Sequence, residues 1–166
     1  MQTYYYFVEG QTEQRMLEVL KTSFQCIRPG KIRVFNVVQN RLNKGHLWML
    51  KDQTNVILVF DTGKADPGCL FDNIAFLKNE KRFKNIMCVP QVKNLEEELK
   101  RCCGIRHVRE ITGSKTDAEF KEDMLRCTNL GELLKRKNFD FSKFWTSSPS
   151  GSYMAIGNDI DKIKLL

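Results

Sequence analysis

Apolar residues fall along this chain in two kinds of run. Thr3 to Val8 (TYYYFV) is a β-rich run too short for a helix, and it stops at Glu9-Gly10. A segment opening at Thr12, a residue suited to capping, then places Met16, Leu17, Val19 and Leu20 on one helical face. Pro29-Gly30 breaks the chain ahead of a second strand, Ile32 to Val38. A short amphipathic stretch, Leu47 to Lys51, leads into Asn55 to Phe60 (NVILVF), apolar at every position after the asparagine. So short and continuous a run marks a central strand covered on both faces. It ends in Asp61-Thr62-Gly63.

The alternation continues with a helix over Leu70 to Phe83 and a strand over Asn85 to Val92. Pro90 has no N–H for a ladder, so that strand either ends there or lies near an edge. Asn94 caps the next helix, whose first turn holds Glu96, Glu97 and Glu98, where the helix dipole favours acids. Ile105 to Ile111 reads as a short strand. Helical stretches follow at about 117–127 and 130–137, then the aromatic set Phe139, Phe141, Phe144 and Trp145, a loop at 147–151 and a last short helix. The order β-α-β-β-α-β-α predicts an α/β fold, a mostly parallel Rossmann-like sheet with helices on both faces. Residues 1–112 form the α/β core and 113–166 a helical extension packed on it as one structural unit.

Composition narrows the chemistry. A length of 166 residues predicts one domain, and 42% hydrophobic with 28% charged residues is an ordinary globular balance. The net charge of +7 favours polyanionic partners without proving one. No stretch approaches the roughly 20 apolar residues of a membrane span, and the N-terminus lacks a secretory layout. A cytoplasmic protein with no membrane partner is expected. The six cysteines lack any C-x-x-C pair, and His46 and His107 stand apart, so reduced thiols are expected and zinc is not.

Open α/β sheets bind ligands beyond the carboxyl ends of their strands. Glu9, Asp61 and the trio Glu96, Glu97 and Glu98 all follow predicted strands and would meet on one rim. Gathered carboxylates repel unless a cation neutralises them, and Mg²⁺ needs only one or two of them plus water and phosphate oxygens.

The segment Phe7-Val8-Glu9-Gly10-Gln11-Thr12-Glu13 resembles the first motif of Toprim domains, in the version seen in OLD-type nucleases and related bacterial anti-phage effectors. Val56 to Asp61 (VILVFD) is similar to the second motif, and the resemblance spans roughly residues 3–100. It implies a Toprim-like sheet and a Mg²⁺- or Mn²⁺-dependent nuclease cleaving phosphodiester bonds in DNA or RNA. Glu9 then resembles the glutamate that acts as metal ligand or acid–base group, Glu13 the extra acid of OLD-type sequences, and Asp61 the first aspartate of the second motif. Toprim proteins present Asp-x-Asp there. Here Thr62 and Gly63 follow, and the next acid is Asp66, which would replace the second aspartate if the 63–65 loop folded back. Glu97 resembles acids found after the following strand. Lys115, in the Gly113-Ser114-Lys115-Thr116-Asp117 loop, resembles in role the cationic group beside the metals. Lys64, Lys115, Arg82 and Arg101 are the candidate phosphate contacts. The resemblance also implies a defence setting, with a sensor or ATPase partner, and leaves self-association open.

Competing readings stand beside these. Glu13 and the trio at 96–98 suit first-turn helix acids, Asp66 suits a turn before Pro67-Gly68, and the 113–117 loop suits a turn capped by Thr116 or Asp117. For the whole chain, the alternative to a nuclease is a catalytically degenerate Toprim-like module that binds nucleic acid or a partner protein. A third reading makes Asp61 a phosphoryl-accepting nucleophile.

Overall fold

The computed structural model describes residues 1–63 and 66–165. Strands β1 (Tyr4–Val8), β2 (Lys31–Val34), β3 (Asn55–Asp61) and β4 (Asn85–Gln91) form one all-parallel sheet in the order β2-β1-β3-β4. Every residue of β1 and β3 is buried, as expected of inner strands between two helical layers. Alternate parity divides their side chains. Tyr4, Tyr6, Val8, Ile57 and Val59 enter a core shared with α1 (Gln11–Thr22) and α4 (Leu95–Cys103). Tyr5, Phe7, Val56, Leu58 and Phe60 enter the other, shared with α2 (Lys44–Leu47) and α3 (Gly68–Asn79). The chain is an α/β protein with helices on both faces of a parallel sheet.

β4 runs through Pro90 to Gln91 at the sheet edge. The N–H of Cys88 donates to the Asp159 carboxylate at 2.9 Å and its C=O accepts from Asp159 N at 2.8 Å. Residues of that parity therefore turn their main chain away from β3. Pro90 shares the parity, so its missing N–H falls on the outer side and no ladder bond is lost.

Four local expectations are corrected. The second strand is shorter than 32–38, because Asn36 Oδ1 accepts from the amides of Val38 and Gln39 and turns the chain out of the sheet. Helix α1 opens at Gln11 with Gly10 at its cap, and the Thr12 hydroxyl instead donates to Glu13 Oε2 at 3.2 Å. Helix α3 stops at Asn79 rather than Phe83, and Lys81 takes a left-handed turn. Ile105 to Ile111 is not a strand: Gly104 ends α4 with φ +61°, and α5 (Arg109–Thr112) follows. Buried Val108 and Ile111 share a helical spacing of three, the signal that outweighs β-branching here.

The residues beyond 113 supply both cores. Helices α6 (Asp117–Arg126) and α7 (Leu130–Arg136) place Phe120, Met124, Leu130 and Leu134 against α1's side. Phe144, Trp145 and, from α8 (Ile160–Ile163), Ile160 and Ile163 join them, whereas Tyr153 and Ile156 cross to the other core. All six cysteines carry free thiols. Among the described residues no helix is long and apolar enough to cross a membrane.

Candidate functional site

β1 and β3 end side by side, so the acids at their carboxyl ends meet. The Asp61 N–H donates to Glu9 Oε2 at 3.3 Å, joining residues 52 positions apart. One turn into α1, Glu13 lies buried on the same rim. A Cβ on Gly10 would stand 3.2 Å from Glu13 Oε2, so the bare glycine gives this carboxylate room beside the strand end.

Asp61 is held from behind. Its register partner on β4 is Gln91, whose Nε2 donates to Asp61 Oδ1 at 2.8 Å. Gln91 is wholly buried, and its Oε1 accepts from the indole Nε1 of Trp145 at 3.1 Å. Trp145 has φ +61°, a conformation that a bulky residue adopts at a cost. Its surroundings impose it: the Trp145 amide donates to Glu98 Oε2 at 3.1 Å, and its carbonyl accepts from Asn158 Nδ2 at 2.6 Å. Asp61 is thereby tied through Gln91 to the C-terminal segment.

The rim is electrostatically strained. Burial, then the negative charge of Glu9, pushes the Asp61 carboxyl up from 3.8 to about 8, against the lowering effect of the Gln91 bond; Glu13 and Glu96 add to the rise. Glu13 is likewise raised, first by burial and then by Glu9 and Glu96. The counter-charge comes from α6, where Lys121 Nζ pairs with Glu96 at 2.9 Å. That bond, with the fields of Glu96, Glu13 and Asp61, raises the lysine. Tyr153 stacks on Phe60 at 6.2 Å between centroids, and burial followed by the charges of Glu9, Asp66 and Asp61 pushes its phenol above the ordinary tyrosine value.

Of the acids named from sequence, Glu9, Glu13 and Asp61 come together. From the trio on α4 it is Glu96 that reaches the rim, because Asn94 caps the helix through Glu97 N and sets its rotation. Glu97 pairs with Lys100 on its own helix. Glu98 is wholly buried, accepts from Val92 N and Trp145 N, and pairs with Arg101. Asp66 accepts from Gly68 N at 2.7 Å, a turn bond at the start of α3. The position of a second motif aspartate is filled by Gly63, and a Cβ there would meet Lys93 O at 3.0 Å and Lys93 Cα at 3.1 Å. The turn is built around the absence of a side chain.

The basic residues divide in the same way. Lys115 is exposed before α6, where its backbone amide donates to Glu119 and Thr116 caps the helix, as in an ordinary helix-opening turn. The lysine at the rim is Lys121, which no local motif announces. Arg82 is committed to the carbonyls of Leu50 and Leu47 at 2.6 and 2.7 Å and to the carboxylates of Asp52 and Glu80, ahead of the first residue of β4 and so at the opposite end of that strand from the rim. Arg101 holds Val92 O and Glu98. Lys64 lies outside the described residues.

A hard divalent cation suits the donor set, since every rim acid offers oxygen and the cluster carries charge that burial alone would leave partly protonated. Among the described residues no three His, Cys, Asp or Glu side chains already converge tightly enough to hold an ion. Compared with protein-family models, with curated proteins and with solved structures, the chain matches none.

Proposed function

We propose that this protein is a divalent-metal-dependent phosphodiesterase acting on nucleic acid, with Glu9, Glu13, Asp61 and Glu96 as the acids that hold Mg²⁺ or Mn²⁺. What carries the reading is that Glu9 after β1, Glu13 on α1, Asp61 at the end of β3 and Glu96 on α4 lie along one strand-end rim, near enough for their charges to act on Asp61, with the Asp61 N–H on Glu9 at its centre. When bound, the ion neutralises these acids and polarises a scissile phosphate. Gln91 fixes the orientation of Asp61, and Trp145 fixes Gln91. Lys121 brings a positive charge to the rim, where it favours an approaching phosphate. The Toprim resemblance of the 7–13 and 56–61 segments supports the reaction class and, with it, an effector role in antiviral defence alongside a separate partner.

The test is cleavage of plasmid, single-stranded DNA and transfer RNA with Mg²⁺ or Mn²⁺, comparing wild type with Glu9→Gln, Asp61→Asn and Lys121→Met. Loss of cleavage in EDTA and in each variant supports the reading; cleavage surviving EDTA and the first two substitutions refutes it. A second reading, a non-catalytic module binding nucleic acid, is favoured by Gly63 in place of a second aspartate and by the Lys121–Glu96 pair, which neutralises part of the cluster without metal. It predicts nucleic-acid binding in EDTA and no rise in melting temperature with Mn²⁺.

A further inference from the structure

The opposite end of the sheet carries a cavity that the rim chemistry does not use. It measures about 560 Å³ and lies at the amino-terminal ends of β1, β2 and β3, within the range of small-molecule sites. Tyr4, Tyr5, Met49 and Leu50 give it apolar walls. Lys21, Lys31 and Lys51 stand around it, and none of its lining side chains is acidic.

Two features show construction rather than a chance gap. The Pro29-Gly30 turn closes directly on β1, for a Cβ at Gly30 would stand only 2.4 Å from Tyr4 O. The Gly30 carbonyl in turn accepts from Lys21 Nζ at 3.3 Å, an ammonium already paired with Glu18 at 3.0 Å, so Lys21 braces the wall rather than offering a free charge. The second feature is Thr54, which lines the cavity and is wholly buried. Its carbonyl accepts from Lys84 N, but its hydroxyl is, among the described residues, the buried side-chain polar atom with no hydrogen-bond partner. Such a group destabilises the free protein unless something supplies the missing bond.

We propose that this cavity binds a small organic anion, an apolar or aromatic body bearing one phosphate or carboxylate. The body lies against Tyr4 and Leu50, Lys31 and Lys51 neutralise the anionic group, and the Thr54 hydroxyl takes its missing bond from the ligand. The site is separate from the acid rim and stands whether or not the rim is catalytic.

The probe is anilinonaphthalene sulfonate, titrated by fluorescence against the full chain and competed with adenosine monophosphate and with decanoate. One saturable site is expected, weakening as salt is raised. Lys31→Glu with Lys51→Glu, both exposed and tolerant of change, should weaken it by about tenfold or more. Thr54→Val should weaken it severalfold without lowering the melting temperature, and Thr54→Ser should retain wild-type affinity. Displacement by the nucleotide or by the fatty acid identifies the source of the anion, and displacement by neither overturns the class. Absence of a saturable site, affinity unchanged in the double lysine variant, or a Thr54→Val variant that melts lower with unaltered binding overturns the proposal.

Discussion

Replacing Asp61 with asparagine should stabilise the metal-free protein, and the gain should grow with pH. The Asp61 carboxyl is held near 8 in the folded state against 3.8 when unfolded, by burial and then by Glu9. Between these values the folded state binds a proton that the unfolded state has released, so stability is fully present below the lower value and falls as pH rises toward the upper one. At about 1.4 kcal/mol per pH unit, the loss reaches about 4 kcal/mol at pH 7, with a ceiling near 6 above pH 8. Asparagine cannot ionise, yet its Oδ1 can still accept from Gln91 Nε2, and its backbone N–H can still donate to Glu9. Urea or thermal unfolding in EDTA should therefore show Asp61→Asn level with wild type near pH 4 and ahead by up to about 4 kcal/mol at pH 7, roughly 10 °C in Tm for a chain of this size. Mn²⁺ should reverse the order: at about 100 times its Kd, an ion bound only by the folded state adds about 2.7 kcal/mol to wild type, and the variant should gain little of it. A variant no more stable than wild type at pH 7–8 in EDTA, or a gap that does not change with pH, refutes the claim that charge repulsion is stored at this rim.

Other substitutions test the supports of the site. Trp145→Phe strands Gln91 Oε1 without a donor and should cost about 1–3 kcal/mol by urea unfolding; an unchanged midpoint would show that the indole bond does not hold the Gln91–Asp61 pair. Glu98→Ala removes the buried acceptor shared by Val92 N, Trp145 N and Arg101 and should cost about 3 kcal/mol, the low end for a broken buried pair because Arg101 is 37% exposed. Glu97→Ala, one residue away on the solvated side of α4, should stay within about 1 kcal/mol, so equal losses at the two positions would contradict the assigned rotation of the helix. Gly63→Asp forces a Cβ against the Lys93 backbone and should lower stability by about 1–3 kcal/mol, measured as Tm, without improving Mn²⁺ affinity by calorimetry.

The fold was legible in the sequence because its signals are local. The continuous apolar run at 56–60 marks β3 as an inner strand and the Glu-Gly stop marks where β1 ends, and the two strand ends place Glu9 and Asp61 on a common rim before any coordinates are seen. The misread Ile105–Ile111 segment shows where local signals fail: β-branched residues there serve a helical spacing that only packing selects. The choice among Glu96, Glu97 and Glu98 turns on about 100° of helix rotation per residue, which the Asn94 cap and the burial of Glu98 settle together. Lys121, Trp145 and Tyr153 lie still further from local signals. Each sits in the C-terminal third, in sequence that reads as a solvated helix face or an aromatic packing segment, and each acquires its role by returning to the strand ends. Lys115 was the natural choice because a glycine-containing loop before a helix advertises its cation, whereas Lys121 lies mid-helix beside the buried Phe120 that docks α6 on the core. The packing that buries Phe120 thus delivers the lysine to Glu96. The extension is then more than a cover for the sheet: deleting it would remove both the counter-charge at Glu96 and the indole that fixes Gln91 behind Asp61.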